Sequence, residues 1–224
     1  MAAPVLYIGN KNYSSWSMRP WLALKWGAVA FDEHVRRLGD DAGYGQQRSA
    51  HILEISPSGR VPALHADGVV IYDSLAICEW AAEQNKALWP ADSRVRALAR
   101  AAAAEMHSGF PALRRDLSMN IKRRLDRAPD WQDDTRRDLV RLFALWEGAR
   151  QRHGGEGAFL FGARSIADAF FAPVATRLRT YAVATPGEIG VYCETIFADA
   201  AFREWEAAAL KETWDFPATD GLYR

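Results

Sequence analysis

The sequence predicts a small α/β domain followed by an all-helical one. Three observations point there. β-prone runs are confined to the first 85 residues, an Asp-Gly hairpin signal sits between two of them, and only helical periodicity follows Trp89-Pro90.

Val5-Leu6-Tyr7-Ile8 is a short apolar run closed by Gly9-Asn10, and reads as a strand. From Trp16 to Gly27 the pattern turns helical, with Trp21, Leu24 and Ala28 at i, i+3 and i+7. Pro20 is compatible with the first turn, whose N–H groups lack internal partners, and Gly27 reads as the stop. Phe31 to Leu38 is a second strand candidate, followed by a helix-like segment. Val61 to His65 and Val69 to Ile71 flank Asp67-Gly68 as a hairpin. A helix then opens at Asp73-Ser74, with Leu75, Cys78 and Ala82 on one stripe.

Leu139, Leu142, Phe143 and Trp146 mark an amphipathic helix. Ile166, Ala169, Phe170, Pro173, Val174 and Tyr181 mark another, with Pro173 placed to kink it. Ala200 to Lys211 is the last. The expected domains are residues 1–85 and 92–224.

Composition narrows the function. The 28 basic and 28 acidic residues balance, whereas a dedicated nucleic-acid binder needs a basic excess. No apolar run approaches the roughly 20 residues of a membrane span. Met1 to Leu6 lacks the pattern of a signal peptide, so the reading is cytoplasmic. Cys78 and Cys193 have no metal-ligand spacing and read as buried small hydrophobes; no metal is expected. The nine tryptophans read as packing, with an aromatic wall for an apolar co-substrate as the alternative.

Three stretches of the first domain carry chemistry. In Asn12-Tyr13-Ser14-Ser15-Trp16-Ser17-Met18-Arg19-Pro20-Trp21 the serines sit at a helix start. They can cap it, or donate to an anion held there by exposed N–H groups. In Ser56-Pro57-Ser58-Gly59-Arg60-Val61-Pro62-Ala63-Leu64 a Val-Pro bond opens a strand. If cis, it exposes the Val61 N–H and C=O to a passing peptide; if trans, it is an ordinary strand start. In Tyr72-Asp73-Ser74-Leu75, Asp-Ser can cap a helix, or can bind an amino-acid head group through hydroxyl, N–H groups and carboxylate.

The order of these elements, with Ser165 and Asp168 spaced as a capping box, resembles the glutathione S-transferase family. The Ser-Ser-x-Ser-x-Arg run is most similar to its serine-type, zeta-like branch. The resemblance covers nearly the whole chain. It implies a thioredoxin-like N-terminal domain, an all-α C-terminal domain, glutathione as co-substrate, and attack on a small electrophile, a detoxification chemistry. It also implies a homodimer.

By that resemblance, Val61 ahead of a cis Pro62 pairs with the cysteinyl unit, Asp73 and Ser74 hold the γ-glutamyl end, and Arg60 faces the glycine carboxylate. Ser14 would hydrogen-bond the thiolate, with Ser15 the runner-up and Tyr7 the tyrosine-type alternative. Trp16 stands where zeta-class isomerases have a cysteine. Met106, Phe110, Met119 and Trp214 are candidates to line the electrophile site, or core residues. Arg114, Arg115, Arg123 and Arg124 could attract an anion, or form a solvated face balanced by Asp126, Asp130, Asp133 and Asp134. Other readings are a zeta-type isomerase and a non-catalytic binding protein of the same fold. A thiol-disulfide reductase needs a cysteine at the first helix start, and none precedes Cys78.

Overall fold

The computed structural model describes residues 3–38 and 50–223. Its sheet has the order β2-β1-β3-β4. Strand β1 (Val5–Gly9) runs parallel to β2 (Asp32–Arg36) and antiparallel to β3 (Ala63–Ala66), with Leu6 opposite Leu64. Strand β4 (Val69–Tyr72) pairs antiparallel with β3. Asp67 and Gly68 both take positive φ, 50° and 79°, as a two-residue hairpin turn of matching twist requires. The strand expected from Val61 begins at Ala63, because Pro62 has no N–H to give a ladder.

Helix α1 (Ser15–Trp26) carries the chain from β1 to β2. It ends differently from expectation. Gly27 stays right-handed at φ −76°, and Ala28 takes the left-handed conformation at φ 52°. Val29 N then donates to Leu24 O at 3.0 Å, closing the helix end. Gly27 serves packing instead: a Cβ there would lie 3.0 Å from Leu88 Cδ1. Of the segment before β3, α2 spans Ala50–Leu53; residues 39–49, where the rest of the expected helix-like segment falls, lie outside the described residues.

Alternation along β1 divides the first domain. Leu6 and Ile8 pack into the main core with Trp21 and Leu22 of α1, and with Ile77 and Cys78 of α3 (Ser74–Gln84). Tyr7 faces the other way, against Leu38, Ile52, Ile55 and Val61.

After a 3₁₀ turn (Lys86–Leu88), the described residues are helical: α4 (Ser93–Ser108), α5 (Pro111–Asp116), α6 (Asp133–Ala149), α7 (Ile166–Thr180), α8 (Gly187–Ala198), α9 (Ala200–Lys211) and α10 (Pro217–Asp220). A π turn, Arg150–Gly154, extends α6. Helix α7 is the axis of this layer and packs on both α1 and α4. It is buried on nearly every face, as a helix with apolar residues all round should be, and continues through Pro173. Its start is fixed by Asp168, whose Oδ2 accepts from Ser165 N at 2.8 Å and Ser165 Oγ at 3.1 Å. Among the described residues, no helix is long and apolar enough to cross a membrane.

Candidate functional site

The loop between β1 and α1 is held from three sides. Ser14 N and Tyr13 N donate to Asn10 O, and Trp205 Nε1 donates to Lys11 O at 3.0 Å. Glu212, just past α9, accepts from Lys11 N at 2.6 Å and Asn12 N at 3.0 Å. Burial pushes the Glu212 carboxyl up, and those two N–H groups oppose the shift. Asn12 Nδ2 donates to Asn120 Oδ1, and Lys122 N donates to Asn12 Oδ1.

This frame presents Ser14 and Ser15, both buried. Neither of their side chains caps α1. Ser14 Oγ donates to Ser17 Oγ at 2.7 Å, and Ser17 Oγ also accepts from Gly9 N at 3.0 Å. Ser15 Oγ accepts from Arg177 Nη2 of α7 at 2.9 Å. The first N–H of α1, that of Ser15, donates to Tyr13 O at 3.0 Å, and no serine side chain caps the N–H groups that follow it.

At the second site element, the Val61–Pro62 peptide is cis, ahead of β3. The Val61 side chain is half-buried against Tyr7, and Arg60 is exposed. At the third, Asp73 caps α3, its Oδ1 accepting from Leu75 N at 2.7 Å. Asp73 sits at φ 85°, a conformation costing a side-chain-bearing residue about 1–3 kcal/mol. Ser74, 1% exposed, has a hydroxyl with no hydrogen-bond partner. Leaving such a group unsatisfied costs about 1–3 kcal/mol, which a bound acceptor would recover.

Arg19 and His107, to which the sequence reading gave no role, lie against Trp16 beside Arg114. The Arg19 guanidinium lies 4.2 Å from the Trp16 ring centroid and 4.7 Å from that of Phe170. Arg114 lies 5.0 Å from Trp16, and His107 meets its edge at 5.2 Å. Burial lowers the Arg19 guanidinium below its ordinary value, and Arg114 and Arg177 lower it further. His107 Nε2 is 3.3 Å from Asp73 Oδ2. Burial pulls this imidazole down, Asp73 pulls it up, and Arg19 and Arg114 pull it down again.

The remaining candidates separate. Tyr7 stacks on His34 (5.4 Å) and meets His65 at a tilt (4.7 Å), on the sheet face away from α1 and α3. Met106, Phe110 and Met119 belong to the core, while Trp214 is half-buried. Of the four arginines, Arg115 and Arg124 are exposed, and Arg115 pairs with Asp116 and Asp134. Arg114, Arg123 and Arg124 instead donate to backbone carbonyls, Arg114 Nε to Gly109 O at 2.8 Å. Asp130 and Asp133 pair with Arg136. Cys78 and Cys193 are buried, and burial raises both thiols, Cys193 to about 12.

Residues 13–84 match the family described as glutathione S-transferase, N-terminal domain. A maleylacetoacetate isomerase of Rattus norvegicus is 35% identical over 112 residues, 49% of this chain and 50% of that protein. A probable maleylacetoacetate isomerase of Caenorhabditis elegans is 36% identical over 113 residues, 49% of each. The chain thus spans about half the length of the curated relatives it matches. A Burkholderia glutathione transferase homolog, solved with bound glutathione, superposes with TM-score 0.70 at 24% identity, covering 94% of this chain and all of that one. Poplar glutathione transferase F1 gives 0.68 at 19% identity, over 95% and 100%.

Proposed function

From a chain whose residues 13–84 belong to the glutathione S-transferase N-terminal family, and whose fold is that of glutathione transferases, we propose a glutathione-dependent enzyme that activates the glutathione thiolate against a small electrophile. The observation that carries this reading is the Ser74 hydroxyl, buried and without a partner at the start of α3. A γ-glutamyl carboxylate satisfies it, assisted by the N-terminal end of α3, while the Asp73 carboxylate answers the ammonium.

The other assignments follow the peptide outward. The Val61 backbone pairs with the cysteinyl unit, Pro62 shapes that turn, and Arg60 answers the glycine carboxylate. The thiol then meets the Ser14-Ser15 pair at the start of α1. A free thiol near pKa 8.5 is mostly protonated at neutral pH. A hydroxyl donor and a helix N-terminus both favour the thiolate, and each unit of lowering is worth about 1.4 kcal/mol. Residues 1–85 hold glutathione in this reading, and 92–224 supply the electrophile side. The reaction serves detoxification in the cytoplasm. A homodimer is the proposed assembly, supported by exposed Val69, Val70 and Tyr72 on edge strand β4.

The curated relatives favour a second reading, glutathione-dependent isomerisation. Against it, Trp16 fills the place of the zeta-class cysteine, wedged between two guanidinium groups. The test is conjugation of glutathione to a chlorodinitrobenzene by wild type and by Ser14→Ala, Ser15→Ala and Tyr7→Phe. Loss of turnover in a serine variant, with Tyr7→Phe active, supports the proposal. Loss in Tyr7→Phe alone moves the chemistry to the tyrosine type. Wild type that binds glutathione but turns over neither this substrate nor a cis-unsaturated diketo acid is a binding protein.

A further inference from the structure

Two adjacent serines start α1, and their hydrogen bonds assign them different work. Ser14 Oγ donates to Ser17 Oγ at 2.7 Å. Its proton thus points into the protein, toward an oxygen that also holds Gly9 N, and ties the loop to the end of β1. Ser15 is wired the opposite way. Its oxygen accepts from the Arg177 guanidinium at 2.9 Å. An oxygen that accepts from a cation has its own O–H polarised and turned away from that cation, which makes it the stronger donor.

Arg177 is itself fixed. It is 5% exposed, on the otherwise largely apolar helix α7, and donates through Nη1 to Leu117 O at 2.5 Å. One planar fork thus reaches the carbonyl that ends α5 and the first hydroxyl of α1. Arg19 and Arg114 add positive charge beside Trp16, 4.2 and 5.0 Å from its ring, and both Arg114 and Arg177 lower the buried Arg19 guanidinium, burial being the main cause. The start of α1 thus combines a hydroxyl that accepts from a buried, fixed cation with the N-terminal end of a helix.

We propose that Arg177 is the positioning residue of the thiolate site: it holds Ser15, rather than Ser14, as the hydroxyl that donates to the glutathione sulfur. This rests on the glutathione-transferase reading above. The thiol proton leaves to solvent on binding, and Ser15 keeps its own proton while bonding the thiolate. Arg177 touches neither sulfur nor electrophile and acts only through Ser15. The consequence is that α7, in the helical layer, sets the reactivity of a group held by the sheet layer.

The test is the ionisation of bound glutathione, read from thiolate ultraviolet absorbance against pH, with kcat and KM for a chlorodinitrobenzene in parallel. Ser15→Ala and Arg177→Met should each raise the bound thiol pKa by about one unit, a roughly tenfold loss of kcat at neutral pH recovered at alkaline pH. KM for glutathione should stay within about twofold, and Ser15→Thr should restore the wild-type profile. The double variant should lose no more than Ser15→Ala alone. If Arg177→Met does not fold, Arg177→Lys carries the test, because an ammonium has no fork to serve both partners. A larger rise in Ser14→Ala than in Ser15→Ala overturns the proposal, as does full additivity of Arg177→Met with Ser15→Ala. Wild type that lowers no glutathione pKa overturns the functional reading itself, and this assignment with it.

Discussion

Tyr13, one residue ahead of the serine pair, shares its hydroxyl between the two oxygens of Asp220 at 3.1 and 3.0 Å, across 207 residues of sequence. The same carboxylate accepts from Asn120 Nδ2 at 2.8 Å and Phe216 N at 2.8 Å. Burial and Asp220 hold the Tyr13 hydroxyl up at about 12, so it remains a donor at any working pH. The C-terminal segment is therefore a brace on the loop that presents Ser14 and Ser15.

Removing the brace should reach the site without touching it. Asp220→Ala removes the carboxylate shared by Tyr13 Oη, Asn120 Nδ2 and Phe216 N, leaving Tyr13 the longer bond to Trp214 O at 3.4 Å, and should cost about 1–3 kcal/mol in urea unfolding. Tyr13→Phe should cost less, about 0.5–1.5 kcal/mol, since the other two donors keep theirs. Both should lower kcat more than they raise KM for glutathione, because the serines lose their fixed orientation. Unchanged kcat in a destabilised Asp220→Ala would mean that the brace serves stability alone.

His107 makes stability sensitive to mild acid. Its folded-state pKa lies below the ordinary value near 6.5, burial being the main cause and Arg19 and Arg114 opposing protonation with it. The neutral form is thus favoured by folding. The stability this contributes is present above about pH 6.5 and is lost as pH falls through the lowered pKa. Urea midpoints between about pH 7.5 and 5 should fall more steeply for wild type than for His107→Gln. Parallel slopes would contradict this.

Asp168 should titrate in the opposite sense. It accepts from Leu160 N, Ser165 N, Ser165 Oγ and Tyr192 Oη, yet burial dominates and raises its carboxyl to about 6. The folded state keeps the proton in a range where the unfolded chain has released it. That contribution is fully present below about pH 4 and is lost as pH rises through about 6. Asp168→Ala should cost about 3 kcal/mol or more at neutral pH, by stranding buried donors at the start of α7. A loss under about 1 kcal/mol would show that the box is dispensable.

Both thiols should be silent in the native protein. Cys78 is fully buried and Cys193 is 4% exposed, and burial raises the pKa of each. An aromatic disulfide reagent should label neither within minutes under native conditions and both in guanidinium. Rapid native labelling would contradict the packing around α3 and α8.

Local chemistry made much of this legible. Asp67-Gly68 announces its hairpin, Ala200 to Lys211 is the observed α9, and Ser165 with Asp168 marks the start of α7. The sequence also located Ser14, Ser15, Val61, Pro62, Asp73 and Ser74 as positions, since each sits at an element boundary with its own signature. What it could not assign depends on contacts far apart in the chain. The partner of the Ser15 hydroxyl is Arg177, 162 residues away. The partners of the loop, Glu212 and Asp220, lie beyond the last long helix, where no periodicity speaks for them. One signal was present: Arg177 is a basic residue on the inward side of an apolar helix, and such a charge needs a partner.

The most direct test of the central claim is calorimetric titration of glutathione into the full chain, beside Ser74→Ala. Wild type should show saturable binding with one glutathione per chain, weakened about tenfold or more in Ser74→Ala as the γ-glutamyl carboxylate loses a buried donor. No heat of binding in wild type, or equal affinity in the two proteins, would contradict it.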